Sequence, residues 1–167
     1  MPVGIEDKIL APSAALSWVR QQQAQGKTVV FTNGCFDLLH AGHVDILNRA
    51  KTLGDVLVVA INTDDSVRKL KGPSRPVNTV ADRAFVLAGL AAVDVVTMFD
   101  DATPITLLGQ LRPDIHVKGG DYVAEGLPEY PTVKGYGGKV AILPLRDGHS
   151  TTQLIRRILG RVDIHFN

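Results

Sequence analysis

"KTVVFTNGCFDLLHAGHVDILNRAKTLGDVLVVAIN", residues 27–62, decides the fold. It opens on an apolar run rich in β-branched residues, so Thr28 to Thr32 reads as a buried strand. From Gly42 onward, Val44, Leu47 and Lys51 fall on one side of a helix with Ile46, Ala50 and Leu53 beside them, and Gly54 is the stop signal. Asp55 to Asn62 is a second apolar strand. Strand, helix and strand make one right-handed βαβ crossover, the unit from which parallel sheets are built.

The alternation continues outward. "SAALSWVRQQQAQGK" predicts a helix from about Ser13 to Gly26, with Leu16, Val19 and Gln23 on one face and Trp18 packing it onto the domain. "TVADRAFVLAGLA" is helical and "DVVTMF" a strand. "TPITLLGQL" is a helix with Thr103 as N-cap and Pro104 at its first position. "DIHVKGG" and "KVAILPL" are further strands, and "STTQLIRRILG" is a closing helix capped near Ser150. The expectation is an α/β fold: a single doubly wound, Rossmann-like parallel sheet of about five strands with helices on both faces. Residues 1–26 form a helical lead packed on a domain of residues 27–167, with no repeat, low-complexity tract or linker.

Composition narrows the function classes. The chain has 167 residues, 45% of them hydrophobic, enough to bury one core. A formal net charge of +1 supplies no global field for nucleic acid or an anionic membrane, so neither is an expected partner. The single cysteine, Cys35, excludes an internal disulfide and fits a reducing cytoplasm. There is no long apolar span and no signal-peptide pattern at the N-terminus.

In doubly wound sheets ligands bind beyond the carboxyl ends of the strands, where strand order reverses. The segments that follow strands here are "NGCFDLLHAGH", "TDDSVRKLKGPSRPVN", "KGGDY" and "RDGHSTT", which are also the most polar and glycine-rich. The first is neither GxGxxG nor a Walker loop. Its glycines, Gly34 and Gly42, and a helix start still offer backbone N–H groups to an anion. His40 and His43, one turn apart, suit the oxygens of one phosphate; a metal would want further ligands that the chain does not supply, and a purely structural pair is the third reading. Asp37 is either a turn cap or an orienting carboxylate. Cys35 reads as a small buried residue; as a nucleophile it would want a base at fixed geometry. "RKLKGPSR" carries Arg68, Lys69, Lys71 and Arg75 without an acid, either a solvated loop or a grip on a triphosphate by Lys69 and Lys71. Lys118, Gly119 and Asp121 end a strand where a base edge can be read. Arg146, Ser150, Thr151 and Thr152 join a cation to hydroxyls at a helix start.

These residues resemble the nucleotidyltransferase superfamily marked by HxGH. HAGH follows the first strand, and Arg146-Asp147-Gly148-His149-Ser150-Thr151-Thr152 is similar to the RTxGISTT element, with His149 where the cytidylyltransferases carry Ile. Within the superfamily, "TNGCFDLLHAGHVDIL", "LKGPSRPVN", "DRAFVLAGLAAVD" and "VKGGDY" resemble the adenylyltransferases that form ADP-glycero-manno-heptose, as that half standing alone rather than fused to a kinase.

The resemblance implies Mg²⁺-dependent transfer of AMP from ATP to D-glycero-β-D-manno-heptose 1-phosphate, for the inner core of lipopolysaccharide. It implies catalytic roles for His40, His43 and Lys69. It implies nucleotide contacts from Asn33, Gly34, Cys35, Phe36, Asp37, Lys118, Gly119, Asp121, Arg146, Ser150, Thr151 and Thr152. Lys71, Arg75 and Arg83 are the candidates for the sugar phosphate, no protein metal ligand is expected, and a homodimer is, with the N-terminal helix as an interface. Two other readings stay open: a cytidylyltransferase for glycerol 3-phosphate or another small phosphate, and an ATP-sensing module without turnover.

Overall fold

The computed structural model describes residues 4–146 and 148–160; Asp147 and the tail 161–167, both inside the expected domain, lie outside the described residues. Five strands, β1 (Val29–Gly34), β2 (Val56–Asn62), β3 (Val95–Phe99), β4 (Ile115–Gly119) and β5 (Lys139–Leu143), form one sheet in the order β3-β2-β1-β4-β5. Every pairing is parallel. The helices are α1 (Pro12–Ala24), α2 (Ala41–Lys51), α3 (Asp64–Lys71), α4 (Val80–Ala88), α5 (Ile105–Leu111), α6 (Tyr130–Gly135) and α7 (Thr151–Leu159). The expected doubly wound sheet is what the chain forms.

Both sheet faces are covered, which is why the strands are continuous apolar runs rather than alternating ones. Val29, Phe31, Val58 and Ala60 face α1, α5 and α6, where Val19, Leu108 and Val133 close the core. Val30, Leu57, Val59 and Ile61 face α2 and α4, against Leu47, Ala50 and Leu87. The starts of β1 and β2 are pinned by carboxylates from neighbouring strands. Asp114 Oδ2 accepts from Val29 N at 2.8 Å, Asp55 Oδ2 from Thr28 N at 2.8 Å and Asp94 Oδ2 from Leu57 N at 2.7 Å. Each of these aspartates immediately precedes a strand, so one short side chain satisfies backbone donors that the ladder leaves over.

Several expectations need correction. The basic run after β2 is helical as far as Lys71: Thr63 caps α3 by accepting from Ser66 N, with Asp64 and Asp65 in the first turn. Pro104, not Thr103, occupies the N-cap of α5, and no side chain caps it. The sequence reading missed α6. In α2 the buried positions include Leu47 and Ala50, while Val44 is exposed. α1 packs onto the sheet, where Ala15 and Val19 are fully buried in the core and Trp18 is packed against it. That apolar face is occupied within the protein, so a dimer would have to use another surface. No helix among the described residues is long and apolar enough to cross a membrane.

His116 of β4 is fully buried, its ring 5.6 Å from that of Phe31, on the face that also carries Lys118. Burial, and then the Lys118 charge, lowers its pKa to about 4. Unfolded histidine titrates near 6.5, so the unfolded chain binds more protons as pH falls from ~6.5 to ~4. The stability held by neutral His116 is complete above ~6.5 and is lost through that window, at most about 3 kcal/mol. Urea midpoints measured from pH 7 to 4 should therefore fall less steeply for His116→Phe than for the wild type. Superimposable curves would overturn this assignment.

Candidate active site

Strand order reverses between β1 and β4, and the polar segments gather at their carboxyl ends. The turn leaving β1 is tightly built. Phe36 takes a left-handed φ of 47° and lays its ring over Gly34, where a Cβ would sit 2.9 Å from it. Asp37 follows, 3% exposed, and accepts from Val77 N at 2.8 Å, Asn78 N at 2.9 Å and Arg75 Nε at 2.5 Å. Burial alone would raise its pKa; the Asn78 and Val77 amides and the Arg75 guanidinium outweigh that and hold it below the usual carboxylate value. Asp37 thus anchors the distant segment before α4 rather than capping its own turn.

The histidine pair forms a reciprocal cap on α2. His40 is the N-cap and its Nδ1 accepts from Gly42 N at 3.1 Å, while His43 Nδ1 accepts from His40 N at 3.4 Å. The rings stack with centroids 3.9 Å apart. Because each Nδ1 is an acceptor, each neutral ring carries its proton on Nε2, leaving that N–H as the donor. Burial, reinforced by the neighbouring His40, lowers the His43 pKa to about 4. Burial and the charges of His149 and Arg157 lower that of His40. At neutral pH the pair offers neutral N–H donors, not the cations that a charged cradle would need. Gly42 lets this happen: a Cβ there would stand 3.0 Å from both the His40 ring and the Cβ of His149.

Opposite α2, Ser150 caps α7 by accepting from Gln153 N at 3.1 Å, and Thr151 Oγ1 donates to Leu38 O at 3.2 Å. Between the two helix starts lies a cavity of about 200 Å³ lined by His40, Gly42, His43, Arg146, His149, Ser150 and Thr151, with Ile46 and Leu145 as its apolar wall. An adjoining cavity of about 160 Å³ shares His43, Ile46 and Leu145 and extends along Asn33, Gly34, Cys35, Phe36 and Gly119. A Cβ on Gly119 would collide with Ile46 and Leu145. Two helix N-termini, two imidazole donors, a guanidinium and two hydroxyls make an anion receptor. It holds no activated nucleophile: burial raises the Cys35 thiol pKa against the lowering charges of Lys71, Arg83 and Arg75.

Other expected residues lie elsewhere. Lys69 and Lys71 are two apart on a helix of 3.6 residues per turn, roughly 200° around it, so they do not grip one group together. Both lysines are exposed and line neither cavity, though the Lys71 charge is felt at Cys35. Arg83, expected at the sugar phosphate, is 2% exposed, with Nε on Asn78 O, Nη1 on Cys35 O and Nη2 on Asp64 Oδ1. It is a strut beneath the loop; a buried guanidinium with its nitrogens committed cannot reach a ligand. Lys118 pairs with Glu129 at 3.0 Å. Asp121 and Thr152 are exposed and line neither cavity. Sequence reading missed the apolar wall. Leu145 was detectable only as an apolar residue, 55% exposed, just past the last strand.

Residues 31–157 match the family described as "Cytidylyltransferase-like". Proteins named "Bifunctional protein HldE" are similar along most of this chain. The one from Syntrophotalea carbinolica is 54% identical over 142 residues, 85% of this chain and 29% of that protein. The one from Vibrio vulnificus strain YJ016 is 51% identical over 152 residues, 91% of this chain and 32% of that protein. The chain spans about a third of the length of these curated relatives. Among solved structures, a lipopolysaccharide core biosynthesis protein from Thermoplasma volcanium GSS1 superposes with a TM-score of 0.59 at 27% identity, covering 72% of this chain and 98% of that one. The pantoate-beta-alanine ligase of Francisella tularensis, at 16% identity and TM-score 0.55 over 86% of this chain and 68% of that one, shares the fold alone.

Proposed function

The chain belongs to the cytidylyltransferase-like family of nucleotidyltransferases, and from that membership we propose that it transfers AMP from ATP to D-glycero-β-D-manno-heptose 1-phosphate, releasing pyrophosphate. The observation that carries nucleotidyl transfer is the cavity in which His40, His43, Arg146, Ser150 and Thr151 meet between two helix N-termini. The heptose acceptor rests on the resemblance of the loop sequences and on likeness to a lipopolysaccharide core biosynthesis protein.

The acceptor's phosphate oxygen attacks the α-phosphorus in line as the bond to the pyrophosphate oxygen breaks. A phosphate anion is already nucleophilic, so the protein's contribution is positioning and stabilisation of charge. The Nε2–H groups of His40 and His43 donate to the α/β-phosphate region. Arg146, with the amides and hydroxyls at the start of α7, holds the departing pyrophosphate; this takes over the role expected of Lys69. Lys71, and Arg75 through the nitrogens that Asp37 leaves over, face the acceptor phosphate.

Mg²⁺ is proposed as the companion of ATP. Among the described residues the cavity wall carries no carboxylate, Asp37 is committed to Arg75, Val77 and Asn78, and no cluster of three or more His, Cys, Asp or Glu suited to a metal occurs. These residues do not fit a metal site of the protein's own. The ion would be held by phosphate oxygens and water, as Mg²⁺ prefers.

The test is incubation with heptose 1-phosphate and each nucleoside triphosphate separately, following products by mass. ADP-heptose and pyrophosphate from ATP are expected. Turnover only of CTP with glycerol 3-phosphate would move the assignment to the cytidylyltransferases, and ATP binding without pyrophosphate release would make the chain a sensing module.

A further inference from the structure

His149 has no role in the reaction described above, yet the fold takes trouble to place it. Gly148, at a left-handed φ of 73°, turns the chain just before it. Ser150, just after it, caps α7 and fixes the backbone direction. His149 then lies so close to α2 that a Cβ on Gly42 would sit 3.0 Å from the His149 Cβ. The result is a column of rings from the end of β1 to the start of α7: Phe36 to His43 at 5.2 Å, His43 to His40 at 3.9 Å, and His40 to His149 at 6.3 Å. His149 ends this column and lines the same cavity as Arg146, Ser150 and Thr151.

From this placement we propose that His149 is a third imidazole ligand for the phosphate chain, supplied by the α7 side to complete the donors that α2 presents. The inference rests on the nucleotidyl-transfer reading and deepens it. Two independent contacts bring α7 onto the β1–α2 turn, the His149–His40 ring approach and the Thr151 Oγ1 bond to Leu38 O. No residue of α7 is fully buried, although the helix is strongly amphipathic. A phosphate held by both His40 and His149 would join the two halves of the cavity. Burial first, and then the charges of His149 and Arg157, lower the pKa of His40.

The test is calorimetric titration of the full chain with inorganic tripolyphosphate and with ATP, for the wild type and three variants. His149→Ala removes ring and donor, His149→Phe keeps a ring without an N–H, and His149→Asn keeps an N–H donor without the ring. Expected is a weakening of about tenfold for both ligands in the Ala and Phe variants, the scale of one charge-assisted hydrogen bond, with the Asn variant recovering most of it. The Phe variant guards against a result due only to lost packing. If the wild type binds tripolyphosphate and His149→Phe binds it equally well, His149 is a packing residue; the inference is overturned and the proposed function stands. If the wild type binds neither tripolyphosphate nor ATP, the functional reading fails and takes this one with it.

Discussion

Replacing His43 with alanine should lower pyrophosphate release by about 10²–10³-fold, or about 3–4 kcal/mol, the usual cost of one preorganised donor to developing charge. The chain should remain folded. His43 Nδ1 also accepts the His40 amide, and loss of such a cap costs about 1 kcal/mol, against the 5–15 kcal/mol of a typical domain. Rate and thermal melting are therefore expected to separate: a large fall in the first, a small one in the second. The protonation state gives a further handle. An imidazolium would make kcat/KM fall as pH rises through ~6.5, because kcat/KM reports the free enzyme. With the His43 pKa at about 4, no such limb should arise from this residue. Near-normal turnover in His43→Ala would remove the histidine pair from the mechanism.

The second large effect is on stability. Arg83→Met should destabilise the fold by about 3 kcal/mol, because removing one partner of a buried ion pair strands the other. Here Asp64 would lose its cation, and the Cys35 and Asn78 carbonyls their donor. Asp64 keeps some exposure, 27% of its side chain, which is why the figure sits at the low end of the usual range. For a domain of this size the melting temperature should drop by roughly 10 °C. Had Arg83 held the sugar phosphate directly, the variant would instead raise the acceptor KM with little change in melting. That outcome would restore the original expectation and defeat the strut. The comparison is informative because Arg83 supports the same β1–α2 turn that carries the histidines, so some activity is lost either way; the melting shift distinguishes the two accounts.

Short-range patterns were legible in the chain. The apolar runs around Phe31 and Val58 and the helical spacing of Ile46, Leu47 and Ala50 are local properties of consecutive residues, and they specify a parallel α/β sheet before any contact is known. HAGH and the Ser150 cap were readable for the same reason, since a helix start is a matter of a few adjacent positions. That HAGH and RDGHSTT share one cavity followed from topology, because loops after parallel strands all emerge on one side.

Tertiary packing decided how the polar residues are used. A basic run does not reveal from its own composition that Lys69 and Lys71 sit on different sides of one helix, with the Lys71 charge reaching Cys35. Neither does "DRAF" reveal that its arginine is buried on Asp64, nor "HVKGG" that its lysine meets Glu129 across a later helix. The proton of each active-site imidazole is likewise set by which backbone amide its Nδ1 meets. A charged or tautomeric side chain takes its state from partners and burial, and those are fixed only when distant segments close around it.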